Sequence, residues 1–588
     1  MNHLLTPDDF KDKNFNQNNI TILDGKEKDL NFVTKFKEEN MIYIIKPNKK
    51  KFDSILLIHT MLKSIIPNLK AFIIFIPCEN YDIIKHMKTS HIRGDFHIEN
   101  LNIDLIPIDL DLLSLEKDNS LKEIYIDNDL TSINDLANSV VKLEMIFGKI
   151  KYKYIKGDFA LKFCNLLQEK ELENNLKKGD DEILALLAFD RSVDFITLMA
   201  SNYTCEGVID DIFGINFGRI KVKENLLKKN LTKKPITSEK LIPFGLTTAF
   251  NKLYCSFRCM HYLDAIKYIV KIREYYKKIM DKSKNSKNNI SMDDIQKFSE
   301  EIHYFVKNIK DSLIMNENII NYITQYLTDD INRKRYIEKE QLLLSGDLPN
   351  NLYDFYDELL CEKKDLNGLI RLMIIESLTQ NGIKDYYRLK REILNIYGYQ
   401  NIFVLRDLET LGWLKERQIF KSIKKNITTI TYTQVIDKLK LINLENDNKN
   451  INDCSYVMGG FCPLSLKIVE KAVEGQWSTI IDVLKKIPGA TIFPEDESEI
   501  KNPKKEKNII FLIFIGGITY TEIEGIRFLN RKFNEENKIG KRKKTQFIIL
   551  TTGILNSEKI FSSLDKDTHS TFTLKKFYEE LMKEDKKK

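Results

Sequence analysis

Cysteine is scarce in this chain, and its eight residues are scattered through 588 without regular spacing. A set this sparse in a large chain is not the disulfide framework that small secreted domains use. Cys255, Cys259 and His261 lie close together, but they fall within a helical pattern and no second pair of metal ligands follows. We interpret them as buried structural side chains. Cys454 and Cys462 have no visible histidine partner for nucleophilic catalysis.

Long uncharged runs are also absent. The longest, Asn508–Thr521, has 14 residues and two central glycines, whereas a membrane-spanning helix needs about 20 apolar residues. The first residues, MNHLLTPDDFKDK, carry acidic side chains and no apolar core, so we expect no signal peptide. These absences predict a cytoplasmic protein. Its 43% hydrophobic and 30% charged composition is typical of folded domains, and its length suggests about three to five of them.

Neither sign of charge dominates the sequence. The 92 basic and 85 acidic residues leave a net charge of +7, and they intermix along nearly the whole chain. A nucleic-acid-binding protein concentrates basic charge on one domain, so we expect no nucleic acid partner. The clusters Lys49–Lys51, Lys541–Lys544 and Lys586–Lys588 are typical of solvated surface. Contact with an anionic membrane is the alternative for these clusters, and a nucleic-acid scaffold is a further alternative for Lys541–Lys544.

Motifs for nucleotide and metal chemistry are missing. The sequence has no GxxxxGK[ST] loop, no GxGxxG after a strand, no HExxH and no G-x-S-x-G. Gly516 and Gly517 end a strand, but a strand-to-helix turn commonly uses glycine without binding phosphate. We therefore expect no cofactor, no metal and no catalytic residue.

Residues 1–128 alternate short apolar runs with helical patterns. Met41–Ile45, Ala71–Ile76 and Leu101–Ile108 are predicted strands, and Phe52–Ile66 has helical spacing. Continuous apolar strands with helices between them are typical of a parallel sheet that is covered on both faces. The pattern predicts an N-terminal α/β domain.

A second α/β domain is predicted in two pieces, residues 129–242 and 476–588. Ile183–Phe189 and Ile509–Ile515 are its strongest strands, and Thr519 with Glu522 has the spacing of a helix capping box. Residues 243–475 between the two pieces have helical periodicity. We predict a helical domain 3 here, with an arm of about residues 243–350 and a lower part of about residues 351–475.

The arm is predicted to contain two long helices, Thr248–Met280 and Met292–Lys310, joined by the polar insert Asp281–Asn289. In the lower part, Gly398 and Gly412 stand where helix-ending glycines are expected.

Acidic residues follow the central predicted strand. Asp190 and Asp194 stand at the carboxyl edge of the sheet, and Asp210 and Asp211 lie one helix later. Four carboxylates could bind a divalent metal, because ligands of α/β proteins often bind at this edge. Arg191 lies among them, so a structural lock is the favoured interpretation, and a nucleotide- or metal-dependent enzyme is the alternative.

The segment Leu184–Ile215, LALLAFDRSVDFITLMASNYTCEGVIDDIFGI, resembles the signature of the SM family, the Sec/Munc-like proteins that bind SNAREs. Leu198 and Cys205 depart from the usual proline and tyrosine, which affects local packing only. The residues that carry the structural signature are Asp190, Arg191, Asp194, Thr204, Gly207 and Asp210.

Three later stretches are similar to the vacuolar protein sorting-associated protein 33 type of this family. They are Lys390–Trp413, Ser455–Leu466 and Phe514–Leu529. The resemblance implies an arch-shaped three-domain SM fold of class α/β, in which the helical domain 3 is inserted into the second of two open parallel-sheet domains. It also implies a non-enzymatic subunit of HOPS- or CORVET-like tethering complexes.

As a member of this type, the chain would bind SNARE motifs and template their assembly for membrane fusion in vesicle-mediated transport. A partner subunit of the vacuolar protein sorting 16 type would hold it, peripherally, on late endosome, vacuole or lysosome membranes. The candidate SNARE-binding stripe is Ile272, Tyr275, Tyr276 and Ile279, and packing of this stripe inside the arm is the alternative. Tyr456 and Phe461, on a glycine-rich loop, are the candidate contacts with the partner subunit, and internal packing of these rings is the alternative.

Overall fold

A three-stranded parallel sheet lies in the first of the two units into which the chain divides, Met1–Asp104 and Leu105–Lys588. Its strands are β1 (Asn40–Ile45), β2 (Lys70–Phe75) and β3 (Phe96–Asn100), in that order, and helix α1 (Lys49–Ile65) connects the first two. The computed structural model describes residues 40–45, 49–67, 69–75, 85, 96–101, 103–174, 183–223, 241–248, 251–285, 310–329, 331–363, 365–417, 431–443, 453–494, 507–538 and 544–565.

The second unit is built on a seven-stranded sheet with the order β10-β6-β7-β11-β12-β5-β4. Its pairs are parallel except β10 with β6 and β4 with β5. A separate antiparallel hairpin consists of β8 and β9. The strands are β4 (Ile106–Asp109), β5 (Leu112–Ser114), β6 (Ile150–Lys156), β7 (Ile183–Asp190), β8 (Arg219–Lys223), β9 (Leu241–Gly245), β10 (Thr491–Ile492), β11 (Lys507–Ile515) and β12 (Lys544–Thr551).

Helices cover this sheet and fill the region between β9 and β10. Those before the hairpin are α2 (Ser120–Tyr125), α3 (Thr131–Phe147), α4 (Asp158–Glu173), α5 (Ile196–Met199) and α6 (Cys205–Phe213). Those after it are α7 (Lys252–Phe257), α8 (Tyr262–Asn285), α9 (Lys310–Asp329), α10 (Ile331–Leu344), α11 (Leu352–Glu362), α12 (Leu366–Thr379), α13 (Tyr386–Tyr397), α14 (Ile402–Thr410), α15 (Tyr432–Leu439), α16 (Leu464–Val473), α17 (Trp477–Leu484), α18 (Tyr520–Lys538) and α19 (Ser557–Asp565). None of these helices is long and apolar enough to cross a bilayer.

The two central strands, β7 and β11, are apolar along almost their whole length. Leu186 and Ile513 are buried on one face of the sheet, and Leu187 and Leu512 are buried on the other. Continuous apolar strands of this kind need cover on both sides. The helices therefore pack on both faces, as the sequence pattern predicts.

The predicted domain boundary at residue 128 is wrong. The first unit ends at Asp104, and the next two strands, β4 and β5, belong to the seven-stranded sheet. Leu112 pairs with Ile549 of β12, which is more than 400 residues downstream. A local apolar rhythm does not indicate which sheet a strand joins.

The arm also differs from the prediction. The helix expected over Thr248–Met280 is two helices, α7 and α8, because the chain turns at residues 258–261 and His261 there pairs with Thr204. Helix α8 continues to Asn285, into the predicted polar insert. The predicted helices Met292–Lys310 and Phe572–Met582 lie outside the described residues, apart from Lys310.

Lys156 fixes the point where the chain returns to the sheet. Its buried Nζ donates hydrogen bonds to the carbonyl oxygens of Ile487, Pro488 and Gly489, at 2.9, 3.1 and 2.8 Å. Burial lowers the pKa of Lys156 to about 8. The amine thus binds the loop that leads from the helical region into β10.

Candidate functional site

The signature segment begins where β7 ends, and its first acid is fully engaged. The Asp190 carboxylate accepts hydrogen bonds from the Tyr125 hydroxyl at 3.1 Å, from the Ser192 amide at 3.0 Å and from the Phe159 amide at 2.8 Å. Gly157 allows this approach, because its φ is +115° and a Cβ there would lie 2.1 Å from an Asp190 oxygen. Asp190 therefore joins β7 to the start of α4.

Arg191 makes the central ion pair of the second unit. Its guanidinium donates to both carboxylate oxygens of Glu522, at 2.7 and 3.0 Å, and to the Asp194 carbonyl. Both side chains of the pair are buried. Burial alone would lower the pKa of Arg191, but the Glu522 carboxylate outweighs it and raises that pKa. The predicted capping box is also present, since Thr519 and Glu522 exchange hydrogen bonds at the start of α18.

Asp194 holds the turn after the strand. It accepts hydrogen bonds from the amide and the hydroxyl of Thr197, at 3.1 and 2.7 Å, and from the Leu464 amide at 3.0 Å. Burial raises the pKa of Asp194, although the nearby Arg191 opposes this. Leu464 starts α16, so Asp194 connects the signature segment to the helical region.

The last signature residues organise α6. The Thr204 hydroxyl caps the helix by accepting the Gly207 amide at 3.2 Å. A Cβ on Gly207 would lie 2.9 Å from that hydroxyl, so the position requires glycine. Asp210 accepts the Ile215 amide at 2.7 Å and the Asn556 side-chain amide at 2.9 Å. Burial raises the pKa of Asp210 to about 6.

Hydrogen bonds from the protein itself satisfy the four carboxylates at this edge of the sheet, so no ligand is needed to explain their presence. Asp190, Asp194 and Asp210 each accept several protein donors, and Asp211 accepts the Asn202 side chain at 2.8 Å. Within the described residues, His, Cys, Asp and Glu side chains form no group of three or more that could hold a metal. The geometry supports the structural lock over the enzyme alternative, because the acids face their own protein donors.

A second buried charge network was missed by sequence reasoning. Arg527 on α18 contacts Asp111 at 2.8 Å, Glu206 at 2.9 Å and Glu524 at 2.5 Å. Arg258 contacts Asp109 at 2.5 Å beside it. These groups come from the β4–β5 turn, α6, the end of α7 and α18. Arg527 is more than 300 residues away in sequence from Asp111 and Glu206, so these ion pairs leave no local signal in the sequence.

The predicted SNARE-binding stripe lies on α8, and its members are not equivalent. Tyr275 is 56% exposed, whereas Ile272 and Tyr276 are partly buried against the core. The rings of Tyr275 and Tyr276 meet edge to face, with centroids 5.3 Å apart. Ile279 is on the same helix, but its side chain is outside the described part. Tyr275 is therefore the stripe residue that is seen to face outward.

The predicted partner contacts are wrong as surface residues, because Tyr456 and Phe461 are both buried. The Tyr456 ring packs on Phe528 of α18, with centroids 5.2 Å apart. Phe461 forms a bridge with Ile442, which ties its loop to the chain after α15. The glycines of this loop have positive φ and allow a tight turn that packs inside the unit.

An exposed apolar patch lies elsewhere in the lower helical part. Tyr399, Ile402 and Phe403 are adjacent, at the turn between α13 and α14, and all three are exposed. The Tyr399 hydroxyl donates to Asn395 at 3.0 Å, which holds its ring at this turn. We call these three residues the turn patch. Monomeric proteins seldom expose adjacent large apolar side chains unless these bind something.

Residues 1–563 match the Sec1 family, and the chain belongs to that family. It is 27% identical to vacuolar protein sorting-associated protein 33A of Rattus norvegicus, over 90% of this chain and 86% of that protein. It is 25% identical to the vacuolar protein-sorting-associated protein 33 homolog of Arabidopsis thaliana, over 78% and 77%. The protein 33 of Schizosaccharomyces pombe is 23% identical, over 89% and 87%. The predicted family and type are confirmed.

Solved structures agree on the fold. The Unc18–syntaxin 1 complex from Monosiga brevicollis matches with a TM-score of 0.55 and 12% identity, over 91% of this chain and 89% of that one. The SM protein Vps45 in complex with the Qa SNARE Tlg2 matches with a TM-score of 0.53 and 13% identity, over 90% and 88%. The predicted SM fold is confirmed by these likenesses.

Proposed function

We propose that this chain is the SM-type subunit of a HOPS- or CORVET-like tethering complex. In this role it binds SNARE motifs and templates their assembly for fusion at endosome, vacuole or lysosome membranes. The observation that carries the proposal is the family match over residues 1–563, together with relatives named for vacuolar protein sorting along most of their length. The SNARE-bound neighbours Unc18 and Vps45 support the choice of partner.

A rigid protein surface can promote the assembly of SNARE motifs. SNARE motifs are amphipathic and largely disordered alone, so their assembly has to overcome the entropy of ordering them. A preformed surface that holds two motifs in register lowers that cost. Recognition of this kind seats an apolar helix face in a groove, through residues spaced at i, i+3, i+4 and i+7.

Helix α8 offers the surface for this contact. It packs beside α9, where Arg273 forms an ion pair with Glu317. Tyr275 and Leu263 on this helix are both exposed. Ile272 and Tyr276 are partly buried against the core, so they would set the position of Tyr275 rather than bind directly.

Tyr275→Asp is expected to weaken binding of a SNARE motif to the full chain at least tenfold. A buried interface tyrosine commonly contributes about 2 kcal/mol or more, and aspartate would also place a charge in the contact. Isothermal calorimetry with purified SNARE-motif peptides measures the change. The fold should tolerate the substitution, because the side chain is exposed in the free protein.

Tyr387→Asp on α13 is the matched control. Tyr387 is also exposed, and it lies on a different helix from the proposed contact. Its SNARE affinity should equal that of the unmodified chain. Equal affinity of the Tyr275 variant and the control would remove α8 from the binding surface.

For the partner subunit of the vacuolar protein sorting 16 type, we propose the turn patch in place of Tyr456 and Phe461. Its three exposed apolar side chains are what a stable subunit contact would bury. Through this subunit the chain would be held on the cytoplasmic side of late endosome, vacuole or lysosome membranes. The patch is on a different helix pair from α8, so both partners can bind together.

Phe403→Asp combined with Tyr399→Asp is expected to abolish co-purification of the partner subunit, since it places two charges where apolar contact is needed. Co-expression followed by affinity purification of the tagged chain measures this. Leu172→Asp on α4, another exposed apolar residue, is the control and should retain the partner. Full retention by the double variant would exclude the turn patch.

A further inference from the structure

The β8–β9 hairpin displays a row of positive charge on one face. In β8, Ile220 and Val222 are buried, while Arg219, Lys221 and Lys223 are exposed. Alternate residues of a strand point to the same side, about 6.6–6.8 Å apart. The three basic side chains therefore form a line on the solvent side of the hairpin.

Most of the net charge of the chain is concentrated in this segment. Residues 219–245 contain eight basic and two acidic residues, a net charge of +6, whereas the whole chain has a net charge of +7. The other 561 residues are therefore nearly neutral in sum. The described parts of this segment, residues 219–223 and 241–245, carry Arg219, Lys221 and Lys223 and no acidic residue. A local excess of one sign of charge produces a positive field around the hairpin.

Exposed apolar side chains accompany the charges. Leu241 of β9 pairs directly with Lys223, so both lie on the same face, and Leu241 is 56% exposed. Phe217, just before β8, is 54% exposed. The base of the hairpin lies against Ile108 of β4, whose following turn carries Leu110, 80% exposed. Basic and large apolar groups thus occur together around the hairpin.

We propose that this face of the β8–β9 hairpin binds the anionic phospholipid headgroups of a membrane. Clusters of lysine and arginine are attracted to anionic leaflets by about 1 kcal/mol per residue near the surface. Neighbouring apolar side chains add affinity by entering the boundary between headgroups and acyl chains. Nucleic acids are bound by basic and aromatic side chains, so the exposed aliphatic side chains of Leu241 and Leu110 favour the membrane.

This contact is separate from the proposed SNARE and subunit contacts. It uses neither α8 nor the turn patch. A membrane-bound hairpin would fix the orientation of the second unit relative to the bilayer in which the SNAREs are anchored. The solution affinity for SNARE motifs would not depend on it.

Vesicle co-sedimentation of the full chain tests the proposal. Vesicles of phosphatidylcholine alone are compared with vesicles containing about 30% phosphatidylserine, the kind of lipid that gives the cytoplasmic leaflet its negative potential. The variant is Arg219→Gln, Lys221→Gln and Lys223→Gln together. The control, Lys438→Gln, Lys485→Gln and Lys486→Gln, removes the same charge from exposed positions elsewhere.

The unmodified chain and the control should bind the anionic vesicles, and the hairpin variant should bind them at least tenfold more weakly. Binding should fall steeply between about 0.05 and 0.3 M salt, because screening shortens the reach of the charges. Equal binding by the hairpin variant and the control would overturn the proposal. So would equal binding of the unmodified chain to both kinds of vesicle, or tight binding of an oligonucleotide with none of vesicles.

Discussion

Replacing Arg527 with methionine is expected to destabilise the second unit by about 3–5 kcal/mol, the usual cost of removing one partner of a buried ion pair. The Arg527 guanidinium donates two hydrogen bonds to Asp111, at 2.8 and 2.9 Å. It also donates to Glu206 at 2.9 Å and to Glu524 at 2.5 Å. Methionine fills a similar volume without donors, so these acids would lose their main counter-charge.

Neighbouring groups limit the loss. Arg258 remains beside Asp109, at 2.5 Å, and still supplies one positive charge to the cluster. Burial raises the pKa of Glu206 well above its usual range, and the carboxylate of Glu524 raises it further. The loss of stability in the Arg527→Met variant should therefore be smaller than the sum of the separate ion-pair energies.

Arg388→Met is the matched control, because Arg388 also contacts two acids, Asp357 and Glu392, but near the surface. Such pairs contribute at most about 1 kcal/mol. Urea unfolding followed by tryptophan fluorescence measures both variants. The only two tryptophans, Trp413 and Trp477, are buried in the second unit, so the signal reports that unit. Equal unfolding midpoints for the two variants would contradict the assigned role of Arg527.

Arg191→Met is expected to cost about 3–5 kcal/mol as well, since it leaves the buried Glu522 carboxylate without its cation. The destabilisation caused by Arg191→Met should be smaller when Glu522 is substituted in the same chain. Glu522 also accepts the Ser465 hydroxyl at 2.6 Å and the Thr519 amide at 3.0 Å, and a glutamine oxygen can still accept one of these. The double variant Arg191→Met with Glu522→Gln should be less destabilised than the sum of the single variants, by about 1–3 kcal/mol.

An exposed pair of the same chemistry supplies the control for this cycle. Arg335 and Glu358 are 2.6 Å apart, with side chains 45% and 50% exposed. Their double-mutant cycle should give no measurable coupling, because water screens both charges. If the Arg191 and Glu522 effects were simply additive, the pair would not act as a unit.

The sequence predicts best those features that depend on residues close together in the chain. The strand predicted at Ile183–Phe189 is confirmed as β7, and the strand predicted at Ile509–Ile515 lies within β11. The predicted capping box at Thr519 is present, and Gly398 follows α13 with a φ of +103°. Each of these features depends on a few neighbouring residues, which periodicity and spacing describe well.

The predictions failed where distant segments meet. The predicted first domain includes residues 112–114, which form β5, because the sequence does not reveal that they pair with β12. Tyr456 is predicted to contact a partner subunit, but its ring packs on Phe528. The Arg527 network was not anticipated, because its acids lie more than 300 residues away or on the same buried helix face. Such contacts require knowledge of the fold.

The positive charge of the β8–β9 segment does leave a signal in the sequence. Counting charge along the chain in short windows would have found the net +6 of residues 219–245. The contiguous basic runs of the sequence, Lys49–Lys51, Lys541–Lys544 and Lys586–Lys588, lie elsewhere. In a strand, the residues of one face alternate with those of the other, so a basic face is interrupted in the sequence.

The pairing of β7 with β11 also has a consequence for synthesis on the ribosome. More than 300 residues separate Asp190, the end of β7, from Lys507, the start of β11. At about 5–20 residues per second, β7 leaves the ribosome roughly 15–60 s before the strand that covers its edge. During that time a highly apolar strand has an open side, which is a site for misassociation. The nascent chain should therefore depend on chaperones for longer than a protein of the same size with consecutive strands.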